Sequence, residues 1–293
     1  MARVREYHRP ETVVEALALL ANPGISSVPL AGGTTLVPRL VAADNEVEAI
    51  VDLSRLGLDF LELEEGLLRL GAMVTLTDVA ESEVCRQVAG GLLNRAARLN
   101  ATVNVRNAAT VGGVIAGGDP TSELLLALVA LGAELVVQKD ADRTDLLPLN
   151  VFLGAPADSL TGSLLTEVHF SVPEGRVSAG LTRVGRTPRD RPIVAAAAVV
   201  IWEGDVAARI GLAMSGIAET PVRLDDIEKV LEGQALVDDV LDAALADLGE
   251  RFDPPDDFRG SAEYRRAMAP ILARRALREA LARNSPILSV QIA

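Results

Sequence analysis

Arg106-Asn107-Ala108-Ala109-Thr110-Val111-Gly112-Gly113-Val114-Ile115-Ala116-Gly117-Gly118-Asp119-Pro120-Thr121-Ser122-Glu123 is the stretch on which the reading of this chain turns. Two glycine pairs, several hydroxyls, one arginine and two acids lead into the apolar run Leu124–Ala133. Glycine lets a backbone come close to a ligand because no Cβ intervenes. Read as a loop, the stretch offers N–H donors to a pyrophosphate and carboxylates to ribose hydroxyls. The same residues would equally serve as two turns between core strands. The spacing is neither GxGxxG in a βαβ setting nor GxxxxGKS/T, so simple Rossmann and P-loop readings fail.

A second glycine-rich loop lies upstream, Ala31-Gly32-Gly33-Thr34-Thr35-Leu36, at the end of a predicted strand. Its N–H groups and threonine hydroxyls could hold a phosphate without a basic side chain. A tight turn is the plainer alternative.

Around these loops, strand-like and helix-like segments alternate. Thr12-Val13-Val14-Glu15 has capping-box spacing and predicts a helix over 12–21, stopped by Asn22-Pro23-Gly24. Ser27–Leu30, Ala49–Leu53, Leu67–Leu70, Glu134–Gln138 and Leu164–Phe170 read as strands. A helix could follow from Leu36; Thr77–Val88, Leu92–Leu99 and Ser122–Leu131 read as helices. The character changes near Val172–Gly175, placing a domain boundary near 172–176. Beyond it come the strands Ala179–Val184, Ile193–Ile201 and Ala207–Ser215, then helical segments at about 224–232, 237–249 and 262–283. Pro270 would kink the last helix or begin a new one.

The chain has 293 residues, enough for about two domains. Apolar residues make up 49% and charged residues 24%, an ordinary globular composition. A net charge of −13 argues against wrapping nucleic acid or docking on an anionic membrane. The longest uncharged apolar runs, Leu124–Ala133 and Ile193–Trp202, are about half of what a membrane span needs. With no signal-peptide pattern behind the first basic residues, the expectation is a cytoplasmic protein.

One cysteine, Cys85, rules out an internal disulfide, a CxxC zinc site and a Cys-ligated iron–sulfur cluster. His8 and His169 are far apart in sequence, so no His-rich metal site is expected. There is no GxSxG and no Ser/His/Asp grouping, so nucleophilic catalysis has no support and no catalytic residue is named. Cys85 stands beside Glu81 and Glu83, which would raise its pKa, and reads as structural. His169 alternates with apolar neighbours and reads as a structural histidine; Trp202 and Tyr264 read as core or interface anchors. Arg183, Arg186, Arg189 and Arg191 could form a phosphate or partner site, or a solvated hairpin whose charges pair with acids.

These pieces in this order resemble the FAD-binding (medium) subunit of molybdenum hydroxylases of the xanthine dehydrogenase and carbon monoxide dehydrogenase type. Tyr7-His8-Arg9-Pro10 with Glu15-Ala16, Ala31-Gly32-Gly33-Thr34, Val51-Asp52-Leu53-Ser54 and Gly71-Ala72-Met73-Val74-Thr75 match the family in its first half. Arg106-Asn107 through Gly112-Gly113, with Asp119-Pro120, match its second FAD loop. Arg183 to Val194, Ser215-Gly216-Ile217-Ala218 with Pro221 and Arg223, and Ser261–Arg265 match its C-terminal signatures.

The resemblance implies an α/β (α+β) fold. A PCMH-type FAD-binding domain would cover 1–174, in subdomains of about 1–55 and 56–174. A C-terminal domain of the CO dehydrogenase flavoprotein type, a small antiparallel sheet with helices, would cover 175–293. It implies FAD as cofactor, held by Ala31, Gly32, Gly33, Thr34, Thr35 and Leu36 and by Thr110, Val111, Gly112, Gly113, Gly117 and Asp119. Glu123 falls near the adenosine part, where the family usually has Asp; Leu165 and Arg183 fall near the isoalloxazine, where Lys is common at the Arg183 position. Val114 replaces a usual Asn or Ser, Thr35 a usual acid or Ser, and Pro192 is unusual in its segment.

The function implied is electron transfer in a molybdenum-containing complex. Electrons would leave the clusters of an iron–sulfur (small) subunit, pass through this FAD and reach NAD or another acceptor. A molybdopterin (large) subunit would carry the substrate chemistry. Two other readings stay open: a stand-alone PCMH flavin oxidoreductase, and a flavin-free structural subunit that keeps the fold.

Overall fold

The computed structural model describes residues 4–42, 47–155, 160–188 and 190–283. They group into two units. The first runs to Asp78 and adds Ala101–Gly118 and Ala133–Phe170. The second takes Val79–Asn100, Asp119–Gly132 and the chain from Ser171 onward.

In the first unit, β1 (Glu6–His8), β2 (Ser27–Leu30) and β3 (Ala49–Asp52) form a parallel sheet in the order β1-β3-β2. Helix α1 (Val13–Leu20) starts where the sequence places it, with the Thr12 hydroxyl accepting from the Glu15 N–H at 3.2 Å. The Glu15 carboxylate closes the cap one residue early, on the Glu11 N–H at 3.0 Å. Ala16 and Leu17 of α1 pack with Val51, Leu53 and Leu164. Helix α2 is Leu36–Ala42.

The second sheet of this unit has five strands: β4 (Leu61–Glu64), β5 (Leu67–Gly71), β6 (Glu134–Gln138), β7 (Thr144–Pro148) and β8 (Leu164–Ser171). Their order is β4-β5-β8-β6-β7. Central β8 is buried along nearly its whole length, so its Glu167 needs a partner. Arg69 supplies it as a fork, at 2.9 and 2.6 Å. Strand β4 was not expected. Its Leu-Glu alternation is that of a half-exposed edge, and Glu65-Gly66, with φ of 49° and 79°, makes the tight hairpin turn into β5.

Two sequence expectations change here. The helix expected over Thr77–Val88 is two, α3 (Leu76–Glu81) and α4 (Glu83–Gln87), because the Ser82 hydroxyl accepts from the Cys85 N–H and starts a new cap. The glycine-rich stretch expected as a loop begins on the last residue of α6 (Val103–Arg106) and contains helix α7 (Val111–Gly117), both in the first unit. Thr110 caps α7 at its start, and Gly118, with φ of 58°, ends it in the left-handed region. The glycines cost helix propensity, but caps at both ends and the burial of Val111 and Ile115 offset it.

In the second unit, α5 (Leu92–Asn100) and α8 (Glu123–Ala130) accompany an antiparallel sheet of order β12-β11-β10-β9. Its strands are β9 (Arg176–Val184), β10 (Val194–Glu203), β11 (Val206–Ser215) and β12 (Val222–Arg223). Alternate residues of β10, Val194 to Trp202, meet Leu272, Ala273, Ala276 and Leu277 of the long helix Ala262–Ala282 in one core. A Cβ on Gly180 would stand 1.9 Å from the Ala276 carbonyl oxygen, so glycine sets how closely that helix crosses the sheet. The helix continues through Pro270. Proline leaves the Arg266 carbonyl without its helical donor, and the backbone of Gly249 packs against that oxygen.

Candidate functional site

The first glycine segment leaves β2 and enters α2. A Cβ on Gly32 would lie 1.8 Å from the carbonyl oxygen of Ala108, so only glycine fits there. Gly33 has φ of 69°, a conformation that side chains rarely adopt. The N–H groups of Gly32, Gly33, Thr34, Thr35 and Leu36 have no acceptor among the described residues. Thr34 and Thr35 are exposed. The segment therefore presents a run of backbone donors and two hydroxyls to solvent.

The second segment spends its donors inside the protein. Val111 N–H donates to Val74 O, Gly112 N–H to Ala72 O and Val114 N–H to Thr110 O, each at 2.9 Å. Gly113 N–H donates to the Thr110 hydroxyl at 3.1 Å. A Cβ on Gly112 would lie 2.6 Å from that of Ala72, which explains the glycine by packing. The two segments adjoin: a Cβ on Gly113 would be 3.9 Å from the Ala31 Cβ, and one on Gly117 would be 3.9 Å from the Thr35 hydroxyl. The first unit thus gathers all the expected residues from Ala31 to Leu36 with Thr110, Val111, Gly112, Gly113 and Gly117. Leu165 belongs to the same unit, buried in β8.

Asp119, Glu123 and Arg183 belong to the second unit. Asp119 accepts from the Thr121 N–H and hydroxyl at 2.9 and 2.7 Å and pairs with Arg191. Glu123 opens α8 just after the cap Ser122 and is 2% exposed. The Arg183 Nη1 lies 2.7 Å from Glu123 Oε1, off the angle of a hydrogen bond, so the oxygen has a charge contact only. Arg183 also donates to the Asp190 carbonyl. Burial pushes the Glu123 carboxyl up to about 7, against the opposing pull of Arg183.

The described arginines of the Arg183–Arg191 run each face a carboxylate: Glu123 for Arg183, Asp190 for Arg186 at 3.6 Å, and Asp119 for Arg191. Arg189 lies outside the described residues. The Cys85 thiol is pushed up to about 11, by burial rather than by the neighbouring acids the sequence suggests. His169 is buried, with Nδ1 3.2 Å from Glu167 Oε1. Trp202 is core, its indole N–H donating to the Ser178 hydroxyl, whereas Tyr264 is 39% exposed. No group of His, Cys, Asp or Glu among the described residues could hold a metal ion, and no described helix is long and apolar enough to cross a membrane. Asn100 escaped the sequence reading: its side-chain oxygen accepts from the Ser122 hydroxyl at 2.6 Å and the Leu124 N–H at 3.3 Å, fixing the start of α8. Nothing in the sequence marks a residue acting across that separation.

Residues 2–173 match the model of the FAD binding domain in molybdopterin dehydrogenase, and residues 182–280 that of the CO dehydrogenase flavoprotein C-terminal domain. The carbon monoxide dehydrogenase medium chain of Afipia carboxidovorans is 31% identical over 281 residues, 95% of this chain and 97% of that one. The glyceraldehyde dehydrogenase medium chain of Sulfolobus acidocaldarius is 28% identical over 275 residues, 93% of this chain and 97% of that one. Among solved structures, the carbon monoxide dehydrogenase from Hydrogenophaga pseudoflava that lacks the Mo-pyranopterin moiety superimposes with a TM-score of 0.89 at 28% identity, covering 97% of this chain and all of that one.

Proposed function

The chain belongs to the family of FAD-binding domains in molybdopterin dehydrogenases, and from that premise we propose that its FAD carries electrons from the iron–sulfur clusters of a partner chain to NAD or another acceptor. The chain is the FAD-binding medium subunit of an oxidoreductase of the molybdenum hydroxylase type. What is proposed is its place in a cytoplasmic complex with an iron–sulfur subunit and a molybdopterin subunit, and the residues that hold the flavin.

One observation carries the residue assignment: the N–H groups from Gly32 to Leu36, without acceptors among the described residues, beside a second glycine segment. Such donors fit the FAD diphosphate and need no lysine, which suits an acidic chain. Thr34 and Thr35 would add hydroxyl donors. Thr110, Val111, Gly112 and Gly113 would shape the opposite wall, by close approach of backbone rather than by their N–H groups, and Gly117 would leave room for the ligand. Asp119 and Glu123, assigned to the adenosine side, and Leu165 and Arg183, assigned to the isoalloxazine, rest on the family resemblance. When bound, the flavin supplies the redox chemistry; the protein positions it and sets the charge around it. No side-chain acid or base is required.

The test is the absorption spectrum of the purified chain before and after addition of FAD and desalting, repeated with the partner chains. A retained flavin band, released as FAD on denaturation and bleached by NADH in the assembled complex, is the expected result. A band that NADH leaves untouched removes NAD as acceptor. A chain that stays colourless even with its partners overturns the flavin assignment.

A further inference from the structure

In the second unit, a depression of about 230 Å³ is lined by Arg186, Asp190, Arg191, Ile193, Phe258 and Arg259. It gathers three arginines, each with an aspartate partner: Asp190 for Arg186, Asp119 for Arg191 and Asp257 for Arg259. Phe258 is 82% exposed, an unusual cost for a large apolar ring. Two guanidiniums flank it, that of Arg186 at 5.7 Å and that of Arg259 at 5.6 Å from the ring centroid. The ring and the guanidinium planes form a stacking platform with guanidinium N–H donors at its rim.

The arginines keep capacity for a ligand. Arg259 spends its Nε on Asp257 at 3.1 Å, and Arg191 pairs with Asp119. Asp190 stands 3.6 Å from the Arg186 Nε, beyond hydrogen-bond length. A guanidinium has five N–H donors, so each retains several. The volume lies below the range of drug-sized sites, about 300–1,000 Å³, and suits one ring with one anionic group.

We propose that this depression binds a flat aromatic ring carrying a single phosphate or carboxylate, the ring stacking on Phe258 and the anion meeting Arg186, Arg191 and Arg259. The depression adjoins residues assigned to the flavin, since Arg191 pairs with Asp119 and the Asp190 carbonyl accepts from Arg183, so the Phe258 and Arg186 variants, which lie outside that assignment, separate the two sites.

Calorimetric titration of the full chain at low ionic strength tests it, with AMP as the phosphate-bearing ring and benzoate as the carboxylate-bearing ring. Adenosine and inorganic phosphate serve as the ring alone and the anion alone for AMP, benzyl alcohol and acetate for benzoate. AMP or benzoate is expected to bind at least about tenfold more tightly than either part, and whichever of the two binds identifies the anion. Phe258→Ala and Arg186→Gln should each weaken binding about fivefold, the effect of one exposed cation–π or charged contact. Both side chains are exposed, so the variants should keep the wild-type circular dichroism and melting curve. Binding of AMP and of benzoate no better than their own separate parts overturns the proposal. So does unchanged affinity in both folded variants.

Discussion

From Gly32 to Leu36 the backbone N–H groups find no acceptor among the described residues, whereas from Val111 to Val114 all four are taken. Both segments carry paired glycines and neighbouring threonines, yet the glycines serve different ends. Gly112 is glycine because Ala72 leaves no room for a Cβ, and its N–H knits α7 onto the strand end at Ala72. Gly32 meets the Ala108 carbonyl in the same way, but the donors that follow it stay open. A glycine pair thus marks close approach of backbone. Whether its donors are available to a ligand depends on which acceptors the fold brings up.

Gly32→Ala should give the largest effect. Its Cβ meets a backbone carbonyl at 1.8 Å, which cannot rotate away. The expected loss is about 3 kcal/mol or more, with loss of flavin retention, read by denaturant unfolding and by the flavin band. A wild-type unfolding curve would break the claim that the two segments interlock at this point.

Glu123→Gln supplies a contrast outside the two runs of backbone donors. The folded-state value of Glu123, about 7, lies above its ordinary 4.5. Its stabilising contribution is therefore complete below about pH 4.5 and is lost as the pH rises through about 7. At 1.36 kcal/mol per unit this is of the order of 3 kcal/mol, and the glutamine variant should lose that slope. The glycine variants should retain it. A slope unchanged in Glu123→Gln would exclude this carboxyl as its source.

Gly112→Ala should cost less than Gly32→Ala, about 2 kcal/mol, because the nearest obstacle is the Ala72 Cβ at 2.6 Å. Equal losses at the two positions would erase the distinction between them. Gly117→Ala should change stability least, within about 0.5 kcal/mol or slightly in favour of the variant, since alanine is the better helix former and the nearest atom is 3.9 Å away. Its expected effect is on flavin retention alone, because the methyl group would enter space left beside Thr35. A variant that keeps both stability and flavin would remove Gly117 from the site.

Much of the fold was legible because burial follows pattern. Glu134–Gln138 is a strand with the limits its apolar alternation suggests, and Thr12 caps α1 as its spacing with Glu15 predicts. Strands β1, β4 and β7 and the helix Leu149–Gly154 went unread because they are short or partly exposed, so little apolar periodicity marks them. The break at Ser82 was missed because local capping competes with helical periodicity. At the candidate site, sequence identified both glycine segments, but it could not separate donors that are spent from donors that are open.

The sequence by itself determined the alternating α/β character, the change near residue 172, the absence of cysteines for a cluster and the two glycine segments. These depend on composition and on neighbours within a few positions. Only the tertiary structure decided that Val74 and Ala72 absorb the donors of the second segment, that Arg183 meets Glu123, and that Arg186 and Arg259 flank Phe258. Each of these pairings, except that of Arg259 with the adjacent Phe258, joins residues far apart in sequence. Hydrogen bonds, ion pairs and ring contacts act only over a few ångströms, so chain order alone does not reveal which groups will meet.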